Sequence, residues 1–261
     1  MNIAIIGVGA MGGAIADGLL AAGAVQPACL WLANPHTEKL ARFSQAGAHV
    51  LTSNYQAASM ADVVLLCVKP WLAEKVLQEI KPALAEKPHT LVSVVAGLSG
   101  ERIGQLLGQE DKMTAVLLCL PNTAIAVRQS MTFLVPVRAD ERKTAQVQQL
   151  LCSVGSVMIT EERLLPAGMA LASCGIAYAM RYARAATEGG VELGMRAADS
   201  LRVVLQTMAG AAALLQQNGT NPEAEIDKVT TPGGFTIRGL NEMEHAGFSS
   251  AVIRGLKASV S

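Results

Sequence analysis

Apolar and polar positions along the chain fall into two textures that meet near Thr160. Before that point, short apolar runs of the kind found in buried parallel strands recur at residues 2–6, 28–33, 49–51, 62–68, 90–95, 113–120, 131–137 and 155–160. Between them lie stretches that read as helices, over 14–22, 38–46, 54–60, from Pro70, up to Leu107, and over 140–152. Seven or eight strands interleaved with helices predict a doubly wound parallel sheet with room for antiparallel edge strands. After Thr160 the strand-like runs stop. Residues 161–189 read as one long apolar helix and 196–217 as a second, with Asn221 and Pro222 as the cap and first residue of a third. The pattern therefore predicts an α/β domain over 1–160 and an all-α domain over 161–261.

The long helix changes the picture of assembly. Ala167, Gly168, Ala170, Ala172, Ser173, Gly175, Ala177, Ala179 and Ala183 cover much of its surface, so it calls for another backbone close beside it. About a hundred residues offer little else to bury it, and an interlocked homodimer is expected. Residues 164–180 are uncharged, as a membrane span would be; the stretch is slightly short, and Arg181 and Arg184 follow at once, which favours an interface helix.

Composition narrows the classes. With 21 basic and 21 acidic residues the formal charge is zero, which favours neither nucleic acid nor an anionic membrane as partner. Hydrophobic residues make up 51% and aromatics 3%, so the core is expected to be built from Ala, Val, Leu, Ile and Met. Cys29, Cys67, Cys119, Cys152 and Cys174 are odd in number, widely spaced and set in apolar surroundings, and they read as reduced core residues, not a disulfide framework or a metal site. The first residues are needed as a strand and show no basic leader, so a cytoplasmic location is expected.

The chemistry begins at Gly7-Val8-Gly9-Ala10-Met11-Gly12, which fits G-x-G-x-x-G between a strand and a helix. In that setting Gly7 makes the tight turn, Gly9 lets a pyrophosphate approach the backbone, and Gly12 lets helix and strand pack closely. The helix N-terminus, with Ala10 and Met11, then offers N–H groups to a dinucleotide's phosphates. The fold class expected is thus a Rossmann-like sheet followed by an all-α dimerisation domain. At the end of the second strand, where an Asp or Glu would repel a 2′-phosphate, stands Asn34, followed by Thr37 and Lys39. This leans to NADP, with NAD also admitted by a neutral amide; Asn34 and Thr37 also suit a plain helix start. Lys69, at the end of the fourth strand, suits either a phosphate or ribose contact or an exposed position before Pro70.

A second constellation is Thr231-Pro232-Gly233-Gly234-Phe235-Thr236. Thr231 and Pro232 read as the cap and first residue of a helix running to about residue 246, with two glycines in its first turn, each costing up to about 1 kcal/mol relative to Ala. Bare N–H groups at a helix start with a threonine hydroxyl beside them make a site for a small carboxylate. The same residues also suit an ordinary turn between helices.

Here the chain resembles the pyrroline-5-carboxylate reductase family over nearly its whole length. Residues 229–236 are similar to the family signature V-[ST]-S-P-G-G-x-T, 172–178 to S-G-S-G-P-A-Y, and 120–123 to M-P-N-T. Ile176 and Ala124 stand where prolines are usual, Cys174 where a serine is, and Leu118 where an arginine is. The resemblance implies hydride transfer from NAD(P)H to the C=N carbon of 1-pyrroline-5-carboxylate, giving L-proline. A protonated imine is already electrophilic, so no metal or covalent nucleophile is needed. It implies a cofactor site including Asn54, Val68, Lys69, Pro70, Ala96, Gly97, Pro121 and Asn122. It also implies a substrate site of Val229, Thr231, Gly233, Gly234 and Thr236, with the Thr236 hydroxyl assisting and both subunits of a homodimer, or a larger ring of dimers, shaping it. Water, Thr236 or a hydroxyl near Ser173 are open as proton donor. No Lys lies between residues 144 and 227, which argues against reductases that rely on a helix-domain lysine. Two other readings fit the same build: a reductase of another cyclic imine or small oxo acid, and a non-catalytic dinucleotide-binding regulatory protein.

Overall fold

A computed structural model describes residues 1–108 and 113–260 of the chain; Ser261, the end of the expected second domain, lies outside the described residues. The chain divides into two compact units, Met1–Ser173 and Cys174–Ser261.

In the first unit eight strands form one sheet: β1 Ile3–Ile6, β2 Leu30–Ala33, β3 His49–Leu51, β4 Val63–Leu66, β5 Thr90–Ser93, β6 Ala115–Leu120, β7 Ser130–Arg138 and β8 Gly155–Ile159. Their order is β3-β2-β1-β4-β5-β6-β7-β8. The first six pair in parallel; β7 runs antiparallel to β6 and β8 parallel to β7, so the two strands at that edge are reversed, within the room left for antiparallel edge strands. Helices α1 Ala10–Ala21, α2 Ala41–Gln45, α3 Asn54–Met60, α4 Pro70–Leu84, α5 Gly100–Leu107 and α6 Glu141–Cys152 connect them.

Alternation along each strand splits the core across the sheet. Ile3, Ile5, Val63 and Leu65 face one side with Ile15, Leu19, Phe43 and Leu151. Ala4, Ile6, Val64 and Leu66 face the other with Leu77, Ile80, Ile103 and Leu107. The order reverses direction about β1 and β4, and the carboxyl ends of these strands border the crevice where open α/β sheets bind ligands.

Residues 162–192 are helical throughout, but not uniformly: a 3-10 turn over Glu162–Leu164, α7 over Leu165–Gly168, a π stretch over Met169–Cys174, and α8 over Gly175–Glu192. The π stretch interrupts the single α-helix that the small-residue pattern predicts. By length and composition this segment is apolar enough to cross a membrane, and 17% of its most apolar window is buried within the chain.

In the second unit α8 is followed by α9 Ala197–Asn218, α10 Pro222–Lys228, α11 Phe235–His245 and α12 Phe248–Ala258. Asn221 caps α10 as its spacing predicts, its side chain accepting from the Glu223 N–H at 2.9 Å. Gly190 admits the close approach of α9, since a Cβ there would run into the Ser200 hydroxyl, which itself donates to the Thr187 carbonyl at 3.0 Å. Large apolar side chains stay exposed in this unit, Met180 at 66% and Leu193 at 88% among them. Cys119 is buried and Cys29, Cys67 and Cys174 are half-buried, but Cys152 is exposed at the end of α6, contrary to its expected core position.

Candidate functional site

The loop after β1 turns at Gly7, whose φ of +90° few residues other than glycine adopt. The Gly7 N–H donates to Ala33 at 3.0 Å and the Gly9 N–H to Gly7 at 2.9 Å. Helix α1 begins directly after Gly9, earlier than the apolar pattern predicts, and no side chain caps it. Its first α-helical bond is Gly13 N–H to Gly9 at 2.8 Å, so the N–H groups of Ala10, Met11 and Gly12 have no intrahelical acceptor.

The three glycines differ in what they spare. A Cβ on Gly7 would lie 2.7 Å from Val68 Cγ1, and one on Gly12 would run into the Gly7 carbonyl oxygen. A Cβ on Gly9 would meet nothing within 4 Å. Gly7 and Gly12 are thus required by the protein's own packing, whereas Gly9 leaves open a space the protein does not use. These residues fit a dinucleotide pyrophosphate, on bare backbone at a positive helix end.

Beside this loop, Asn34 orders the end of β2: its Nδ2 donates to the Val8 carbonyl at 3.0 Å and its Oδ1 accepts from the His36 N–H at 2.9 Å. The following turn is 3-10 over Thr37–Leu40, with His36 at its cap position and no side-chain cap bond, so Thr37 does not cap it. Lys39 lies in that turn, and Arg42 pairs with Asp17 at 2.6 Å. Asn54 donates to Glu79 Oε2 at 2.7 Å. Val68 touches the glycine loop, Lys69 is exposed at the cap position of α4, and Pro70 is its first residue. Trp71, which sequence reasoning passed over, stands 76% exposed in the same turn.

Beyond β5 and β6 opens a cavity of about 250 Å³. Ala96, Gly97, Leu118, Cys119, Glu162 and Met169 are among the residues that line it. Gly97 has φ +77°. Burial pushes the Cys119 thiol up to about 12 and raises the Cys67 thiol as well, so neither supplies a thiolate nucleophile. Glu162 was not singled out by sequence; its place in an acidic pair just before a long apolar run was the available signal.

Pro121 and Asn122 follow β6. Asn122, 5% exposed, donates from Nδ2 to the Ala172 carbonyl at 3.3 Å and accepts the Ala124 N–H at 3.0 Å. Ser173 Oγ donates to the Pro121 carbonyl at 3.2 Å. The π stretch is thereby held by the loop after β6, and the Asn122 amide is occupied with protein partners.

In the second unit, Val229 ends α10 with 64% exposure. The Gly234 N–H donates to the Thr231 carbonyl at 2.9 Å, closing a turn in which Pro232 and Gly233, at φ +68°, are the central residues. This has the residue pattern of a type II turn, and it corrects the expected helix start: α11 is capped by Gly234 and begins at Phe235, because Gly233 takes a left-handed conformation that no helix continues. The N–H groups of Phe235, Thr236 and Ile237 are left without intrahelical acceptors, while that of Gly234 is used in the turn. Arg238, also missed from sequence, donates from Nε to Gly234 at 3.2 Å and from Nη2 to Gly233 at 3.0 Å, and lies over the Phe235 ring.

Residues 162–261 match the family model described as pyrroline-5-carboxylate reductase dimerisation, and 2–97 the one described as NADP oxidoreductase coenzyme F420-dependent. Pyrroline-5-carboxylate reductase 1 of Dictyostelium discoideum is 40% identical over 99% of this chain, which spans about half (48%) of that relative's length. Pyrroline-5-carboxylate reductase 2 of the same organism is 36% identical over 99% of this chain and 90% of its own. The crystal structure of Plasmodium falciparum pyrroline carboxylate reductase with NADP bound has TM-score 0.90 at 24% identity, covering 100% of this chain and 95% of that one.

Proposed function

The chain belongs to the pyrroline-5-carboxylate reductase family, and from that premise we propose that it reduces 1-pyrroline-5-carboxylate to L-proline with NADPH. When bound, NADPH supplies the hydride that adds to the ring carbon of the C=N bond, leaving an amine. The chain's own task is then to bind and orient two small anionic partners. The Gly7–Gly12 loop and the open N–H groups of Ala10, Met11 and Gly12 hold the pyrophosphate. Asn34, with Thr37 and Lys39 nearby and no carboxylate at the strand end, accommodates the 2′-phosphate of NADP and does not repel it. Asn54, Val68, Lys69, Pro70, Ala96, Gly97, Pro121 and Asn122 complete the cofactor site, Asn122 by ordering its neighbours.

The observation that carries the substrate side is the Thr231–Gly234 turn, which delivers bare backbone to the start of α11. Gly233 and Gly234 keep side chains away, the free N–H groups of Phe235 and Thr236 take the imine's carboxylate, and the Thr236 hydroxyl assists. Val229 and Thr231 frame the same turn. No covalent intermediate is required.

The functional unit is a homodimer built on the 161–261 region. The dimerisation match over 162–261 and the exposed Met180 and Leu193 support this, and Arg181 and Arg184 directly after the uncharged 164–180 stretch favour a protein partner over lipid. A ring of such dimers and a cytoplasmic location belong to the same proposal, with neither nucleic acid nor membrane as a partner.

The deciding experiment follows NADPH absorbance after adding 1-pyrroline-5-carboxylate, with NADH and the six-membered imine as alternatives. Rapid oxidation with NADPH and the five-membered imine is expected. NADPH that binds but is not oxidised would assign the chain to a non-catalytic role.

A further inference from the structure

The cavity beyond β5 and β6 has two walls from distant parts of the chain. One is the Ser93–Ser99 stretch; the other is the start of the 162–192 helical segment, with Glu162, Leu165, Pro166 and Met169. Among the described residues one hydrogen bond ties these walls together: Glu162 Oε1 accepts the Gly100 N–H at 3.1 Å, across 62 positions of sequence. Gly100 opens α5, and Ser99 Oγ accepts the Arg102 N–H at 3.1 Å, so the helix start has a cap of its own. That cap leaves the Gly100 N–H unpaired within α5, and Glu162, from the opposite wall, is the acceptor that takes it. Gly100 allows it: a Cβ there would sit 3.1 Å from Glu162 Oε2 and 2.5 Å from Val137 Cγ1. No cation among the described residues pairs with Glu162, and the neighbouring wall position at β6 is the buried Leu118.

The geometry points to Glu162 as a positioning residue for hydride transfer. By holding the Gly100 N–H it fixes the Ala96–Gly100 backbone against the 162–169 wall and so sets the width of the cavity. In an open α/β sheet the carboxyl ends of β5 and β6 lie on the nicotinamide side of the crevice. A slack loop there misplaces the nicotinamide ring against the imine without loosening the pyrophosphate, which the Gly7–Gly12 loop holds. This rests on the reductase reading above. Misplacement of reacting atoms by about 1 Å lowers the chemical rate far more than binding.

The test compares Glu162→Ala, Glu162→Gln and Glu162→Asp with the unaltered protein. Four quantities are read: kcat with the imine, NADPH dissociation constant, melting temperature, and amide exchange of the 96–100 peptide. Glu162→Ala is expected to lower kcat about tenfold or more, leave the NADPH dissociation constant within about twofold, and speed exchange at Gly100. Glu162→Gln keeps an acceptor oxygen and is expected to recover most of kcat. A kcat for Glu162→Ala within twofold of the unaltered protein overturns the proposal, and so does a Gln variant as impaired as the Ala variant. If Glu162→Ala does not fold, Glu162→Asp carries the test: an unchanged melting temperature with a several-fold lower kcat supports it, and an unchanged kcat overturns it. Should the unaltered protein not turn over the imine, the reductase reading fails. Exchange at Gly100 then decides the anchoring alone: faster exchange in Glu162→Ala supports it, and unchanged exchange overturns it.

Discussion

The side-chain amide of Asn122 donates to the backbone carbonyl of Ala172, fifty positions away, at 3.3 Å. A π turn leaves carbonyls without their usual α-helical donors, and Ala172 lies inside one. Asn122 adds a donor to that carbonyl from outside the helix and takes the Ala124 N–H in exchange.

Replacing Asn122 with alanine therefore removes one bond to the buried Ala172 carbonyl and one from the half-buried Ala124 N–H. The expected loss is about 1–3 kcal/mol of unfolding free energy, read as a lower urea midpoint with unchanged slope. Asn122→Asp, which turns a carboxylate oxygen toward the Ala172 carbonyl in this buried place, is expected to lose at least as much. An unchanged midpoint for Asn122→Ala would show that the bond contributes nothing to stability.

How much of this was legible beforehand depends on what each feature rests on. Buried parallel strands announce themselves as apolar runs, so His49–Leu51 and the helix Asn54–Met60 lie where the pattern puts them. Strand direction leaves no such trace: the pattern left room for antiparallel edge strands, and the structure puts the reversal at β7 with β8 following parallel to it. Pro232-Gly233 suits both a helix start and a tight turn, and only the +68° φ of Gly233 separates them. The π stretch has no composition of its own. Glu162 with Gly100, and Arg238 with the carbonyls of Gly233 and Gly234, are pairings made by folding, so spacing alone could not propose them.

The glycine loop gives a contrast between two substitutions. Gly9→Val adds a side chain where nothing lies within 4 Å, so folding is expected to be unaffected while NADPH affinity falls by at least about a hundredfold as the pyrophosphate is displaced. Gly12→Val drives a branched side chain into the Gly7 carbonyl and Cys67, and is expected to lower the melting temperature as well. Fluorescence titration with NADPH and thermal melts check both; equal melting temperatures for the two variants would contradict the distinction.

Glu225 supplies a pH dependence. Hydrogen bonds from Lys228, then Thr220 and Asn218, hold its carboxyl down to about 2, below an unfolded value of roughly 4.3. A depressed folded value means the stabilisation is complete above the unfolded value and fades as pH falls from about 5 to 2. The melting-temperature gap between the unaltered protein and Glu225→Gln is therefore expected to be widest near neutrality and to close across that range, remaining modest because its first partner, Lys228, is exposed. A gap that widens on acidification would have the wrong sign.

Thr236 separates the two halves of the reaction. If its hydroxyl assists the carboxylate, Thr236→Ala raises the imine KM by about tenfold, the worth of a hydrogen bond to a charged group, and leaves the NADPH KM unchanged. Thr236→Ser should restore most of the affinity. Steady-state kinetics with each substrate varied in turn measure the split, and equal rises in both constants would remove Thr236 from the substrate site.

Arg238 holds the same turn from behind. Its guanidinium bonds the carbonyls of Gly233 and Gly234 together while stacking on Phe235, which is 90% exposed. A lysine reaches one carbonyl but not both in the fixed geometry of a fork, so Arg238→Lys is not a conservative change here. With one or both bonds lost, Gly233 regains the freedom its left-handed conformation had given up, and the N–H groups at the start of α11 are no longer pre-set for a carboxylate. The imine KM is expected to rise several-fold in Arg238→Lys and further in Arg238→Ala, with kcat at saturating imine less affected and the NADPH KM unchanged. The bonds are exposed, so the melting temperature should move little. A large fall in melting temperature with an unchanged imine KM would instead make Arg238 a brace for α11 alone.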